Sequence, residues 1–486
     1  MGRKFSDRFQ SKYLQIIPTI TQLTVGITII FIFIACSNST QLEPQIQNQP
    51  KLPTTELNIW WEQGMNHDED EALRTLVHNW QKQTGNKVKL SFFSNDEFTA
   101  KIERAVQAKN YPDIIMIPKA DRVLYPRLAW QGELEDVSEI IEPIQNAYPE
   151  NILRGITYYN AQENKRSYYG VPLYQSTIFI YYWQTLLASI GLNSKDIPQD
   201  WDGFWQFWQQ AQQKLRNQKH QNIFGLGLTL SANKSTDDAH NLFEQILEAY
   251  DVVLFNEQGQ LKIDRPEVRQ GIINCLNWYA QLYRQGYIPA DAVKWSNADN
   301  NRNLLNQLVL MTPNNTLSIP ATVRQDANTY YNKLGITEFP KKPSGKSMRY
   351  LIFVRQAVIF KDSPHKPLAK NFLRYFIQPQ VTIEHLKDTG SRNQPVQKSV
   401  WSDPYWHNTK DPYIATATKI LTTGQTSLSP IVDHPAYSQV LAENVWGRAL
   451  TQVTANKIKP EKAADEAIAR IREIFTQWAL PMIGDK

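Results

Sequence analysis

Between Glu56 and Ile117 the apolar residues switch between two periods. Leu57-Asn58-Ile59-Trp60 is a short alternating run of the kind a strand shows, and Trp61-Glu62-Gln63-Gly64 follows at a turn. The acidic cluster Asp68-Glu69-Asp70-Glu71 then opens a helix, where negative charge suits the exposed N–H groups of a first turn. Leu73, Leu76, Val77 and Trp80 recur at helical spacing, and Gly85 stops the helix just past its last apolar residue. Val88 to Phe92 reads as a second strand. Asp96 is placed to cap another helix, with Phe98, Ile102, Ala105 and Val106 on one face. Tyr111-Pro112 breaks it, and Asp113-Ile114-Ile115-Met116-Ile117 is the continuous apolar run of a strand covered on both faces. Alternation of this kind predicts a parallel sheet with right-handed crossovers, and such sheets bind ligands beyond the carboxyl ends of their strands.

The same pattern is legible further on. Thr177 to Tyr182 is strand-like. Asp200 reads as the N-cap of an amphipathic helix beginning at Trp201, whose indole is expected in the core. Ala239 to Gln285 is mostly helical, Val309 to Asn315 and Tyr350 to Phe360 are strands, and Pro412 to Leu480 is helical. The last helix carries Ala463, Ala467, Ile468, Ile471, Ile474 and Phe475 as its closing stripe. No internal repeat is evident.

A length of 486 residues with 42% hydrophobic and 20% charged residues supports a substantial core and two or three units of ordinary domain size. The N-terminus departs from that composition. Arg3, Lys4, Arg8 and Lys12 precede an apolar stretch, Leu23 to Ala35, too short for a standard membrane span. Phe33-Ile34-Ala35-Cys36 then turns abruptly polar. This resembles a bacterial lipoprotein signal, which implies that residues 1–35 are removed and that Cys36 is lipidated as the new N-terminus. An uncleaved signal anchor is the alternative, and both place the remainder outside the cytoplasm. Residues 36–55, rich in Gln, Asn, Pro and Thr, read as a disordered tether. Without residues 1–35 the formal charge of +5 shrinks to 48 bases against 46 acids, so no basic face argues for nucleic acid. The second of two cysteines, Cys275, lies in an apolar helical context and is expected as a buried thiol.

Several segments carry a family resemblance. The run from IWWEQG through QKQTGNKVKL to YPDIIMI resembles the N-terminal lobe of extracellular solute-binding proteins. It is most similar to the sugar-binding family (family 1, maltose-binding-protein-like) that serves ATP-binding-cassette (ABC) importers. Gly132-Glu133-Leu134-Glu135-Asp136-Val137 is similar to that family's G-x-L-x-x-L segment. Tyr168-Tyr169-Gly170-Val171-Pro172 resembles its crossing strand, and Pro198 to Phe204 its P-x-T-W signature. Ser347-Met348-Arg349-Tyr350 stands where relatives have glycines.

The resemblance implies an α/β chain with a two-lobed periplasmic-binding-protein fold (class II). Each lobe is expected to be a mostly parallel sheet flanked by helices, with three hinge crossovers. Residues 56–174 plus 352–398 would form the N-terminal lobe, and 175–351 plus 399–486 the C-terminal lobe. The crossovers would fall near Tyr174, Tyr350–Phe353 and Gln394–Val400. The function implied is a monomeric, lipid-anchored protein that captures a sugar or oligosaccharide and hands it to an ABC permease. A pyranose presents an apolar C–H face and a rim of hydroxyls, so its site needs aromatic plates and fixed polar groups. Trp61, Tyr174, Trp295 and Tyr350 are the candidate plates, with Glu62, Asp121, Asn301, Asn315 and Arg349 on the rim.

G-x-S-x-G, H-E-x-x-H, a P-loop and C-x-x-C are all missing, Gly225-Leu226-Gly227 lacks a third glycine, and the eight histidines are scattered. The expectation is therefore no catalytic residue, no metal and no cofactor. A secreted carbohydrate hydrolase is the main rival, because a glycosidase carboxylate pair has no fixed sequence spacing. A surface sensor or adhesin on the same fold is the third reading.

Overall fold

The computed structural model of the chain describes residues 56–478, apart from 220, 221, 235 and 257 and the side chains of 95–97 and 99. The signal segment, Cys36 and tether expected of residues 1–55 lie outside the described residues. The cap expected at Asp96 is corrected: the helix Asn95–Gln107 is capped at Ser94, which places Asp96 inside its first turn. Twelve strands occur among the described residues. They are β1 (Glu56–Glu62), β2 (Lys87–Phe93), β3 (Ile114–Met116), β4 (Thr157–Asn160), β5 (Lys165–Tyr168), β6 (Val171–Thr177), β7 (Phe179–Trp183), β8 (Phe224–Leu226), β9 (Val309–Asn314), β10 (Leu334–Thr337), β11 (Tyr350–Ile359) and β12 (Thr426–Leu428).

The first sheet has the order β12-β11-β3-β1-β2, with β6 also paired to β11; the second has the order β10-β7-β9-β8. The opening strands are parallel, β1 lying between β2 and β3. Antiparallel pairs enter with the strands that pass directly from one sheet to the other. Between β6 in the first sheet and β7 in the second stands Ile178 alone, so no crossover helix intervenes to turn the chain back. This run lies antiparallel to β11 through β6 and to β9 and β10 through β7. Both sheets are therefore mixed, within a two-lobed α/β fold whose sheets are flanked by helices.

Pairing moves the edges of the expected segments. β6 stays in register with β11 up to Thr177, so the first sheet runs past Tyr174. β11 belongs to the first sheet from Tyr350 onward, because its ten residues are all buried and need a partner on each side. Thr426–Leu428 joins the same sheet beside Tyr350–Ile352, although 399–486 was expected in the other lobe. Gln175 and Gln394 exchange both backbone hydrogen bonds at 2.8 Å, which lays a third connecting segment beside β6.

Local chemistry sets the helices. In the helix His67–Thr84, Asn66 is the cap and accepts from the Glu69 N–H at 3.1 Å. Gly85, at φ +75°, ends it in a conformation that favours glycine. The acidic cluster also folds the preceding turn, since Asp70 accepts the Gly64 N–H at 2.8 Å. Trp80 from this helix is fully buried against Phe372 and donates its indole N–H to Asn371 of the helix Lys366–Phe376.

In the second lobe Asp200 accepts the Gly203 N–H at 2.8 Å and caps the helix Trp201–Lys219. Trp201, Phe204, Trp205, Trp208, Trp278 and Tyr279 interlock there, so much of the aromatic content serves packing. Cys275 is a free, buried thiol in the helix Pro266–Arg284.

Candidate functional site

The loops after β1, β2 and β3 meet a second wall across a cavity of about 250 Å³. Glu62 to Met65 leave the end of β1, Ser94 follows β2 and Pro118 follows β3, which is the carboxyl edge where a parallel sheet binds ligands. Arg355 of β11 and Arg392 complete this wall. The facing wall comes from the other sheet's surroundings: Asp237 and Asp238 at the start of the helix Asp238–Ala249, Ser296 to Ala298, Asn301, Asn314 at the end of β9, and Asn315, Thr316 and Ser318 just beyond it. A smaller chamber of about 40 Å³ adjoins it, sharing Glu62, Gly64, Pro118, Thr316, Arg355 and Arg392. Trp61, Phe92, Tyr174 and His385 add aromatic surface there.

The polar groups of the cleft are held by one another. Arg392 reaches Glu69 at 2.7 Å and lies 4.0 Å from Glu62. Arg355 donates to the Asp121 carboxylate at 2.9 Å and to the Pro118 carbonyl at 2.8 Å. Asn315 donates to Asp238 at 2.8 Å, and Asn301 and Asn314 both donate to the Ser318 hydroxyl. Asn297 accepts the backbone N–H groups of Asp237 and Asp238 at 2.9 and 3.3 Å, capping the helix from inside the cleft.

Burial pushes Glu62 up to about 7, with Arg392 opposing and Glu69 reinforcing the shift. Burial, then the neighbouring Asp237 charge, drives Asp238 well above the usual carboxylate range. Asp237 itself is held below that range, because Arg122, His240, Lys119 and Arg355 together outweigh its burial. The result is a water-accessible cleft with amides, hydroxyls, carboxyls and two guanidiniums in fixed positions. Such a lining can match many hydroxyl groups at once. No group of three or more His, Cys, Asp or Glu that could hold a metal occurs among the described residues.

Of the nine candidate site residues, five line the cleft or its side chamber: Trp61, Glu62, Tyr174, Asn301 and Asn315. Trp61 does so from within the core. It is 4% exposed and stacked on Phe376 with ring centroids 5.7 Å apart, so it is a chamber wall, not an open plate. Its neighbour Trp60 points to the other face, against Phe93 and Phe98. Asp121 lies behind the cleft, where it pairs with Arg355.

Three candidates fall elsewhere. Trp295 is 3% exposed and packs in the core, and the next residue, Ser296, is the one that reaches the cavity. Tyr350 is buried edge-on against Phe339, its hydroxyl accepting the Phe339 N–H. Arg349 is engaged by Glu248 through two bonds of 2.8 and 2.6 Å, beside a separate cavity. β11 runs antiparallel to β3 with Ala357 opposite Met116, so its first residues extend past the cleft edge, where Arg349 and Tyr350 are taken up by Glu248 and Phe339.

Arg355, Arg392, Asp237, Asp238 and Asn297 were not anticipated. Arg355 did carry a signal: it is the one charge in the apolar run Leu351-Ile352-Phe353-Val354-Arg355-Gln356-Ala357-Val358. Asp237-Asp238 before a helix reads from sequence as ordinary capping.

Fold and cleft define a two-lobed binding protein, and comparison with known proteins gives the family. Residues 75–467 match the family of bacterial extracellular solute-binding proteins, and the chain belongs to it. Its family acts outside the cytoplasm and consists of binding proteins. Among curated proteins, the chain is 21% identical over 404 residues to a multiple sugar-binding protein of Streptococcus mutans serotype c, a match covering 71% of this chain and 88% of the relative. Among solved structures, one similar fold is an ABC transporter solute-binding protein from Thermotoga lettingae TMO bound with α-D-tagatose. Its TM-score is 0.72 at 19% identity, covering 86% of this chain and 99% of that one. Another is maltose-bound MalE3 of T. maritima, with a TM-score of 0.70 at 18% identity, covering 86% and 100%. No helix among the described residues is long and apolar enough to cross a membrane.

Proposed function

We propose that this protein captures a sugar or oligosaccharide in the cleft between its lobes and delivers it to an ABC transporter permease, anchored to the membrane through lipid on Cys36. The observation that carries the reading is the cleft itself. Polar side chains beyond the ends of β1, β2 and β3 face a row of asparagines and aspartates from the other lobe, around a cavity of about 250 Å³. A ligand bonded to both rows is held fully only when the lobes are together, which is the differential affinity that shifts a balance between open and closed forms. The proposed hinge runs where three connecting segments lie side by side, at Gln175–Ile178, the start of β11 and Arg392–Pro395. The sugar ligands of the relatives, maltose and tagatose among them, support the ligand class.

A thermal-shift screen of mono- and oligosaccharides on the membrane-extracted protein tests this. A true ligand at about 100 times its Kd stabilises by roughly 2.7 kcal/mol. Scattering should then show a smaller radius of gyration with that ligand. A tight ligand that leaves the radius unchanged would reject hinge closure and favour a rigid or enzymatic role. Mass spectrometry of the N-terminus tests the anchor, and an intact 1–35 segment would reject it.

A further inference from the structure

Behind the cleft, a chain of alternating charges joins its two walls. Arg355 of β11 pairs with Asp121 at 2.9 Å, Asp121 lies 3.5 Å from the Nε of Arg122, and Arg122 pairs with Asp237 at 3.0 Å. The four side chains are buried and their charges sum to zero. The two ends, Arg355 and Asp237, line the ligand cavity, whereas Asp121 and Arg122 do not. Arg122 leaves the single turn Ala120–Val123 that follows β3 in the first sheet, yet its guanidinium enters the first turn of Asp238–Ala249 in the second lobe. There it also donates to Asn241, faces the His240 Nε2 at 3.5 Å and stacks over Phe353 at 4.7 Å.

We propose that Arg122 is a positioning residue whose buried pair with Asp237 acts as a permissive latch: each charge offsets the cost of burying the other, so closure stays accessible only while both are present. The inference rests on the two-lobed reading of the cleft. Its physical basis is that lobe separation would return Arg122 and Asp237 to water, while closure takes both out of it. For a buried pair, desolvation and attraction roughly cancel as long as both charges are present. With one partner missing, the other is left buried and uncompensated, and closure becomes strongly unfavourable. Arg122, always charged, thus costs closure little only as part of its pair. The same aspartate shapes the ligand cavity, so ligand contact and latch meet at Asp237.

Ligand-free, full-length protein carries the test, with hydrogen exchange followed by mass spectrometry and small-angle scattering. Arg122→Met should lower the closed-to-open ratio by about 100-fold or more. Amides of residues 119–124 and 237–243 should then exchange faster together and the radius of gyration should rise, while circular dichroism stays that of the folded protein. Adding Asp237→Asn to Arg122→Met removes the stranded charge and should restore slow exchange and the smaller radius, which a merely structural role for Arg122 would not do. Arg122→Lys keeps the charge but loses the fork, and should accelerate the same amides about 10-fold. It supplies the reading should the methionine variant not fold. Unchanged exchange and radius in Arg122→Lys and Arg122→Met, or no recovery in the double variant, overturns the latch. Because no sugar is present, failure to find a sugar ligand would count against the proposed function and leave this result standing.

Discussion

Replacing Glu62 by glutamine should change how stability depends on pH more than it changes stability itself. Glu62 ends β1 at the floor of the cleft, one-tenth exposed, with Arg392 4.0 Å away. Burial lifts its carboxyl from 4.5 to about 7 in the folded protein. Between those two values the folded protein holds a proton that the unfolded chain has released. Stability from this group is therefore complete below about pH 4.5 and is lost as pH rises to 7. At about 1.4 kcal/mol per pH unit, the loss is on the order of 3 kcal/mol. Glutamine keeps the shape of the protonated acid and cannot ionise. The difference in unfolding free energy between Glu62→Gln and the native protein should then grow in the variant's favour by about 3 kcal/mol from pH 4.5 to 7.5. Urea unfolding at a series of pH values reads it, since other titrating groups cancel in the difference. A difference that is flat across this range would refute the buried, proton-holding environment argued for Glu62, and with it the polarity assigned to the cleft floor.

Other expectations follow from packing and pairing. Trp61→Ala should cost about 3–5 kcal/mol through the cavity left against Phe376, and Trp60→Ala clearly less, as denaturant midpoints would show. Arg349→Ala should leave sugar affinity within about twofold by calorimetry and cost no more than about 1 kcal/mol, because its bond to Glu248 is half exposed and remote from the cleft. Cys275, buried with its thiol pushed up by burial, should resist iodoacetamide in the folded protein and react once urea unfolds it, by peptide mapping.

What the amino-acid order determined by itself was local and periodic. The alternation of β1, the helical stripe Leu73-Leu76-Val77-Trp80, the stop at Gly85, the cap at Asp200 and the buried thiol all depend on neighbours within a turn or two of chain. The position of the cleft beyond the strand ends followed as well, because a parallel sheet forms its crevice at the carboxyl ends of its strands. Membership of a binding-protein family was legible for the same reason, as its signatures are short and ordered.

Tertiary structure alone decided which side chains meet there. Trp60 and Trp61 are equivalent in sequence, and only the packing of the helix Lys366–Phe376 makes Trp61 the core residue. Arg349 and Tyr350 stand at the start of a crossing strand, yet the antiparallel register that sets Ala357 opposite Met116 carries them past the cleft edge to Glu248 and Phe339. Arg355, Arg392 and Asp237 converge from positions more than a hundred residues apart at the widest. Their partners Asp121, Glu69 and Arg122 are just as distant along the chain. An ion pair has no sequence spacing, so charges of opposite sign become partners only when strand order and lobe closure bring them within reach.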